Sequence, residues 1–359
     1  MNLIRFKKII TAYPKMRVAV IGDFCLDRYL EIDPSRSEVS IETGLPVHNV
    51  VSVRAQPGGA GTILNNLVAL GVGEIYPVGF CGDDGEGFEL RRALGSMRGI
   101  RLDHFITTRQ RRTFTYCKPL LLLPNSPPEE LSRLDSKNWT ETPGEVQSRL
   151  MEGIKDLAGR VHAMILLDQV DMPDTGVVTR MVRDTVGSAA RMYPSLTVVA
   201  DGRRGLAGFP PLLFKMNLAE LARTVPLPAD ADEETVIAEA TDLAVKNKRP
   251  VVITMADRGM IGVAADGKLA RQPALSLRGP IDVVGAGDSV TANLTTALAA
   301  GATMPEALEL ATAAASTVIH QLGTTGTATI LDLFGIIAAN IPPEPAPGGT
   351  EFLTRRSQQ

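Results

Sequence analysis

Short runs of continuously apolar residues alternate with amphipathic stretches along most of this chain of 359 residues. The runs are rich in Val and Ile, so each predicts a strand that is buried on both faces. Such strands, separated by helical patterns, indicate an α/β fold with a mostly parallel central sheet and helices on both faces. The predicted strands span 17–22, 75–80, 161–167, 196–200 and 250–254, and the predicted helices span 61–70, 85–97, 144–157, 174–190, 233–245 and 289–300.

Two segments, 27–53 and 100–123, break this pattern with polar–apolar alternation and turn residues. They predict strands of a small antiparallel sheet, which we expect to cover the carboxyl ends of the main strands, where ligands of such sheets bind. The C-terminal segment is rich in Pro and Gly and then polar, so it predicts a disordered tail. We therefore expect one domain over 1–341, with lid inserts at about 28–54 and 101–123, and a tail over 342–359.

The composition excludes several classes of protein. Hydrophobic residues make up 44% of the chain and charged residues 21%, which excludes a disordered or collagen-like chain. The formal net charge of −3 provides no basic surface for nucleic acid or an anionic membrane, and no apolar run approaches the ~18 residues of a membrane span. The three cysteines lie far apart, as is typical of reduced thiols. We expect a cytoplasmic protein that binds neither nucleic acid nor membrane.

Residues 282–288 read Asp-Val-Val-Gly-Ala-Gly-Asp and precede a predicted helix. Glycines there permit a tight loop, and the free N–H groups of a helix N-terminus form an anion site. Asp288 lies at this positive end, where a carboxylate can accept the proton of an attacking hydroxyl while the amides stabilise a transferred phosphoryl group. The pattern also fits a glycine-rich turn in which Asp288 is an ordinary N-cap residue.

In this setting, segment 285–288 resembles the C-terminal signature of the ribokinase/PfkB family of carbohydrate kinases. Segments 58–71 and 79–85 resemble the Gly-Gly-Ala segment of that family and its next strand and turn, and the resemblance extends from about residue 17 to residue 329. It implies a ribokinase-like three-layer sandwich with a small antiparallel β lid. The segments similar to the heptose-7-phosphate kinase branch are 22–29, 40–47, 313–315 and 321–325.

The resemblance implies roles for residues on the catalytic and sugar sides. Asp288 would be the catalytic base, and the amides of Gly285, Ala286 and Gly287 would form the anion hole. The residues implied to meet the sugar are Asp23, Asp27, Gly58, Gly59 and Thr62. Asp23 and Asp27 follow the first strand and suit vicinal hydroxyl donors, although helix capping or a lid salt bridge would also explain them. Many relatives carry Asn at the position of Thr62, so this pocket differs from theirs.

Segment 215–220 resembles the Asn-x-x-Glu motif of the family. If a helix begins at Asn217, the spacing puts Asn217 and Glu220 on one face, where Glu220 could hold a water of a Mg²⁺ shell. A capped helix start explains the same two residues. The resemblance also places Thr254 and Gly259 near the nucleotide.

Asp282 is implied as part of a monovalent-cation site, for K⁺, that some family members have. Asp201 and Arg203 resemble an Asp…Arg turn near the nucleotide, and a structural salt bridge explains them equally well. If the substrate carries a phosphate, an Arg of the cluster 109–112 could clamp it, although such a cluster also suits a solvated loop.

The resemblance implies an ATP-dependent kinase that uses Mg²⁺ and phosphorylates a hydroxyl of a sugar or sugar phosphate. A lid of this kind often mediates dimerisation in relatives, so we expect a homodimer. A non-catalytic sugar-binding or regulatory protein on the same fold remains an alternative. A nucleotide-binding oxidoreductase is disfavoured because the glycines at 59–61 lack the third glycine of a Gly-x-Gly-x-x-Gly motif, and a P-loop enzyme because no Walker sequence occurs.

Overall fold

The computed structural model describes residues 1–323 and 325–340, and the predicted tail over 342–359 lies outside them. The strands of this part of the chain are β1 (Arg17–Gly22), β2 (Phe24–Ile32), β3 (Glu38–Val39), β4 (Pro46–Val47), β5 (Val50–Gly59), β6 (Glu74–Gly82), β7 (Phe105–Thr108), β8 (Phe114–Leu121), β9 (Glu129–Glu130), β10 (Leu134–Ser136), β11 (Ala163–Asp168), β12 (Thr197–Gly202), β13 (Leu213–Asn217), β14 (Val251–Thr254), β15 (Met260–Val263) and β16 (Leu269–Gln272). The helices are α1 (Leu3–Ile10), α2 (Ala60–Ala69), α3 (Gly85–Gly95), α4 (Gly144–Ala158), α5 (Arg180–Met192), α6 (Leu218–Thr224), α7 (Glu233–Asn247), α8 (Ala286–Ala299), α9 (Met304–Val318) and α10 (Ile330–Ala339).

Nine strands form the main sheet, in the order β16-β15-β14-β13-β12-β11-β1-β6-β7. Neighbours from β14 to β7 pair in parallel, and β15 and β16 add an antiparallel edge. Side chains of β1 alternate between two cores: Val18 and Val20 belong to the core with α2, α8 and α9, whereas Ala19 and Ile21 belong to the core with α4, α5 and α7. Burial on both faces explains the continuous apolar runs and confirms the predicted sandwich.

A separate small sheet has the order β10-β8-β2-β5, with β9 beside β8. The pairs β2–β5, β8–β10 and β8–β9 are antiparallel, as expected of the lid, whereas β2 and β8 pair in parallel. The parallel pair arises because the chain passes through the main sheet, as β6 and β7, between these two strands. The small sheet therefore begins at Phe24 and reaches Gly59, further than the insert over 28–54, and residues 105–108 of the insert over 101–123 belong to the main sheet.

Two predicted helices begin several residues away from their predicted starts, and a strand of the parallel sheet was not predicted at all. The helix predicted over 174–190 begins only at Arg180, because Thr179 caps it and Asp174 has a left-handed backbone that interrupts any earlier turn. The helix predicted from residue 289 begins at Ala286, so it includes Asp288. Strand β13 was not predicted, since a lysine stands in its centre. No helix in residues 1–323 and 325–340 is long and apolar enough to cross a membrane.

Candidate active site

A cavity of about 460 Å³ lies where the carboxyl ends of β1, β11 and β12 meet the inner face of the small sheet and the start of α8. Aspartates and cations of both sheets line it, together with backbone from two glycine turns. Its lining residues are Asp23, Cys25, Asp27, Gly59, Thr62, Phe114, Tyr116, Lys118, Arg133, Asp135, Lys137, Gln169, Val170, Asp171, Arg203, Val284, Gly285, Asp288 and Thr325.

The first turn of α8 forms one wall of the cavity. Gly285 caps the helix in a left-handed conformation, with φ of 82°, which favours glycine. The amides of Gly285 and Gly287 make no hydrogen bond to the described residues, whereas Ala286 donates its N–H to the Val283 carbonyl. Two of the three amides predicted for the anion hole are therefore available, and the third is engaged within the turn.

Asp288 is the third residue of α8 rather than its N-cap, and its carboxyl lines the cavity. Burial raises its pKa to about 7, and the nearby charge of Asp201 adds to the increase, while Lys215 and Arg203 oppose it. A carboxylate with a pKa near neutrality is suited to accept a proton from a hydroxyl group.

Four of the five predicted sugar-side residues line the cavity, namely Asp23, Asp27, Gly59 and Thr62, whereas Gly58 does not line it and lies against Asp27. Asp27 lies on β2, is 8% exposed and accepts no hydrogen bond from the described residues. Burial raises its pKa, against the opposing charges of Lys118 and Arg133. Gly59 caps α2, and Thr62 lies buried in the first turn of that helix, with its methyl group 3.6 Å from a Cβ built on Gly285. Both residues line the cavity.

Asp23 also lines the cavity, but its carboxylate is engaged by the main chain. One oxygen accepts the N–H of Gln169 at 2.9 Å, and the other accepts the N–H of Val177 at 2.6 Å. Burial is the main cause of its raised pKa. Asp23 thus anchors the segment that follows β11, a structural partner that the sequence did not suggest.

The residues predicted for the nucleotide lie outside this cavity, along the next strands of the main sheet. Asn217 and Glu220 form a reciprocal capping box at the start of α6, in which Glu220 Oε2 accepts the Asn217 N–H at 2.8 Å. Asn217 pairs in register with Thr254 on β14, so the two residues lie side by side. Gly259 follows in the turn to β15, packed tightly against the backbone around Gln272.

Few side chains of the described residues could bind a metal directly: no group of three or more His, Cys, Asp or Glu has that arrangement. Glu220 Oε1 accepts no hydrogen bond from this part of the chain, so one oxygen remains beside the capping box. Mg²⁺ normally binds through one or two carboxylates, waters and substrate phosphates, and this donor set fits that mode. Asp282 lies outside the cavity and accepts the N–H of Val284 at 3.0 Å.

The cluster 109–112 does not reach the cavity, and the prediction of a phosphate clamp there is wrong. Arg109 has a side chain that is 90% exposed and pairs with Asp83, while the buried Arg111 donates to the carbonyls of Thr140 and Glu141. Four other cations line the cavity instead: Lys118, Arg133, Lys137 and Arg203.

Arg203 was singled out in the sequence, although near the nucleotide, whereas Lys118, Arg133 and Lys137 went unrecognised because they belong to the small sheet and the loops beside its strands. Alternation along β8 puts Phe114, Tyr116 and Lys118 on the inner face, and this period-2 pattern is the one sequence signal that could have found Lys118. Asp135 pairs with Arg133 at 2.9 Å, and Asp171 lies 2.7 Å from Lys137 and 3.7 Å from Arg203. Lys118 has no carboxylate partner within the described residues and lies 5.0 Å from the centre of the Tyr29 ring.

The fold is that of known sugar kinases. Ribokinase of Arabidopsis thaliana, solved with ribose and ATP, superimposes with a TM-score of 0.65 at 19% identity, covering 90% of this chain and 98% of that one. Phosphofructokinase-2 of Escherichia coli, solved with potassium, superimposes with a TM-score of 0.68 at 16% identity, covering 90% and 99% of the two chains.

Sequence relatives span nearly the whole chain. The bifunctional protein HldE of Gluconacetobacter diazotrophicus is 30% identical over 347 residues, which cover 96% of this chain and 68% of the relative. The protein of the same description from Rhodospirillum rubrum is 32% identical over 319 residues, covering 88% and 61%. The chain thus spans about two thirds of the length of these relatives. Residues 210–330 match the family described as pfkB family carbohydrate kinase. Together with the relative that is 30% identical over 96% of the chain, this match shows that the chain belongs to the pfkB family of carbohydrate kinases.

Proposed function

We propose that this protein transfers the γ-phosphoryl group of ATP to a hydroxyl of a phosphorylated sugar. The observation that carries the proposal is the cavity itself, which joins the Asp288 carboxyl, the amides of Gly285 and Gly287, Asp27 and four cations; neither the two amides nor Asp27 has a hydrogen-bond partner among residues 1–323 and 325–340. The first three suit an acceptor hydroxyl and a transferred phosphoryl group. The cations suit a second anionic group on the acceptor.

Asp288 would act as the general base. Its deprotonated carboxylate would accept the proton of the acceptor hydroxyl as that oxygen attacks the γ-phosphorus, and the amides of Gly285 and Gly287 would donate to the oxygens of the transferred group. Asp27 would accept hydrogen bonds from neighbouring hydroxyls of the sugar, and Gly58, Gly59 and Thr62 would shape that end of the pocket. Ala286 would contribute shape but not its amide.

ATP would extend from the α8 turn toward Asn217, Thr254 and Gly259. Mg²⁺, when bound, neutralises charge on the phosphates, and Glu220 would hold one of its waters through Oε1. Asp282 would contribute to a K⁺ site with one carboxylate oxygen, the other being engaged by Val284.

The acceptor's phosphate would lie among the cations of the small sheet. Lys118 lies at the register position of Tyr29 on β2, two residues beyond Asp27. Two residues of a strand span about 6.6 Å. The phosphate would thus be carried by a carbon some distance from the hydroxyls that Asp27 contacts, as in a heptose phosphate.

The decisive experiment measures ADP release with a panel of sugars and their phosphates, for the native chain and for Asp288→Asn. We expect turnover with a phosphorylated sugar, and a loss of kcat of about 10²–10⁴-fold in the variant with nucleotide binding retained. Sugar binding without turnover by the native chain would instead favour a regulatory protein. Normal turnover by the variant would show that Asp288 is not the base.

We also propose that the chain forms a homodimer through its small sheet. Apolar side chains are exposed at the start of β5 and in the segment before it that contains β3 and β4. They include Val39, Ile41, Leu45, Val50 and Val53. Exposed apolar residues concentrated in one segment are typical of an interface. Light scattering should give twice the chain mass, and a monomer at micromolar concentration would contradict the proposal.

Because the proposed reaction consumes ATP, we propose that the protein acts in the cytoplasm.

A further inference from the structure

Strand β13 carries a lysine in the interior of the protein. Lys215 is 3% exposed, and its Nζ donates a hydrogen bond to Oδ2 of Asp201, at 2.8 Å. Asp201 lies near the carboxyl end of β12 and is 4% exposed. A buried charge is costly unless it is paired, and each of these groups provides the partner that the other requires.

This ion pair contacts the turn that carries the proposed catalytic base. The Thr291 hydroxyl, in the second turn of α8, donates to the same Asp201 oxygen at 2.6 Å and so ties the start of that helix to β12. A Cβ placed on Gly287 would lie 3.3 Å from Lys215 Nζ, so the ammonium group lies directly against that residue. Of its three N–H donors, the described residues accept only the one that bonds Asp201.

We propose that Lys215 is a positioning residue for phosphoryl transfer: fixed by Asp201, it holds a positive charge beneath Gly287, while Asp201 anchors the same helix one turn later through Thr291. The inference rests on the proposed function, because it takes Asp288 as the base and the α8 turn as the site of the transferred group. The contacts among Lys215, Asp201 and Thr291 would act on the reaction in two ways. The charge favours the developing anion above Gly287, and the anchor fixes the direction of the Asp288 carboxyl.

The two members of the ion pair affect Asp288 in opposite senses. Asp201 raises the pKa of Asp288 and Lys215 lowers it. The other charged groups that face Asp288 are Arg203, which lowers its pKa, and Asp27, which raises it. Asp288 in turn raises the pKa of the buried Cys25 thiol, and the charge of Glu220 raises the pKa of Lys215.

The test compares the pH dependence of kcat for Lys215→Met, Asp201→Asn and the double variant. We expect the acid limb of the profile to move to higher pH in Lys215→Met and to lower pH in Asp201→Asn. Lys215→Met leaves the buried Asp201 with only the Thr291 hydroxyl as a partner, which we expect to destabilise the fold, so the double variant, which removes both charges, is the decisive one. It should fold and return the acid limb close to that of the native chain, with kcat reduced roughly tenfold.

Thr291→Val provides a second measurement, since it removes one hydroxyl and leaves both charges. We expect kcat to fall several-fold with little change in the KM for the acceptor. A double variant with native kcat, or single variants whose acid limbs do not move in opposite directions, would overturn the inference. Asp288→Asn distinguishes a failure of the proposed function from a failure of the role of Lys215. If Asp288→Asn turns over normally, the proposed function is wrong. If Asp288→Asn is inactive and the double variant has native kcat, only the role of Lys215 is wrong.

Discussion

Gly58 lies so close to Asp27 that a Cβ built on it would be 2.5 Å from Oδ2 of the Asp27 carboxylate. The same Cβ would be 2.8 Å from Sγ of Cys25, the residue that Gly58 faces in the β2–β5 register. The carboxylate therefore occupies space that any other side chain at position 58 would claim. Gly58 and Asp27 together therefore determine the position of the carboxylate that we propose to bind the sugar.

Gly58→Ala should thus impair acceptor binding in a protein that still folds. Both the Asp27 carboxylate and the buried Cys25 Sγ must move away from the new methyl group, so we expect a loss of unfolding free energy of about 1–3 kcal/mol. The displaced carboxylate would lose its place in the cavity, which should raise the KM for the acceptor about tenfold, as for one lost charge-assisted hydrogen bond. Gly144→Ala is the control, because a Cβ at the start of α4 meets nothing within 4 Å. Equal KM values for both variants would contradict the argument.

Much of the main sheet could be predicted because its central strands are buried on both faces. Strands β1, β6, β11, β12 and β14 each read as an apolar run. Strand β13 was missed because Lys215 interrupts its run, and the burial of that lysine depends on Asp201 in a strand beside it. A local pattern cannot reveal a partner that only the packed sheet supplies.

The residues of the candidate site also differ in whether a local sequence pattern can predict them. Asp27 and Asp288 could be found because each belongs to a recognisable segment at a strand end or a helix start. Alternation along β8 indicates only that Lys118 shares a face with Tyr116. That this face and Arg133 meet the cavity depends on a small sheet in which β2 pairs with a strand more than eighty residues later. Register between such distant strands follows from the whole fold and not from nearby residues.

The raised pKa of Asp288 gives a prediction about stability as well as activity. A carboxyl whose pKa is about 7 in the folded protein, against an ordinary 3.8, favours the folded state when protonated, and this contribution is lost as the pH rises through 7. Asp288→Asn remains neutral throughout, so its stability relative to the native chain should grow between pH 4 and pH 8, by up to about 4 kcal/mol. Urea unfolding at several pH values measures this difference. A difference that is constant with pH would contradict the raised pKa.

The cavity cations predict which lysine matters for a phosphorylated acceptor. Lys118 has no carboxylate partner within residues 1–323 and 325–340, so its charge is available to a ligand. Lys118→Met should raise the KM for a sugar phosphate about tenfold or more, as expected for a lost charge-assisted hydrogen bond, and leave the KM for ATP unchanged. Arg109→Met is the matched control, because Arg109 lies on the surface with Asp83 and should leave both values unchanged. Equal effects of the two substitutions would refute a phosphate site at the small sheet.

Glu220 allows its capping role to be separated from a role in Mg²⁺ binding. In the capping box, Glu220 Oε2 accepts the Asn217 N–H, and a glutamine at this position can accept the same bond. Glu220→Gln should therefore change the free energy of unfolding by less than about 0.5 kcal/mol. It removes the negative charge, so if Glu220 holds a water of the Mg²⁺ shell, the Mg²⁺ concentration for half-maximal activity should rise several-fold.

Asp332→Asn provides the control for this last experiment, because Asp332 forms the equivalent capping box with Thr329 at the start of α10, and it does not line the cavity. It loses the same charge at the same helical position, so any general effect of weakened capping should appear equally in both variants. A Mg²⁺ dependence that shifts only in Glu220→Gln would support the metal role. If neither variant shifts it while both unfold like the native chain, Glu220 serves α6 alone, and Mg²⁺ must be held by other groups.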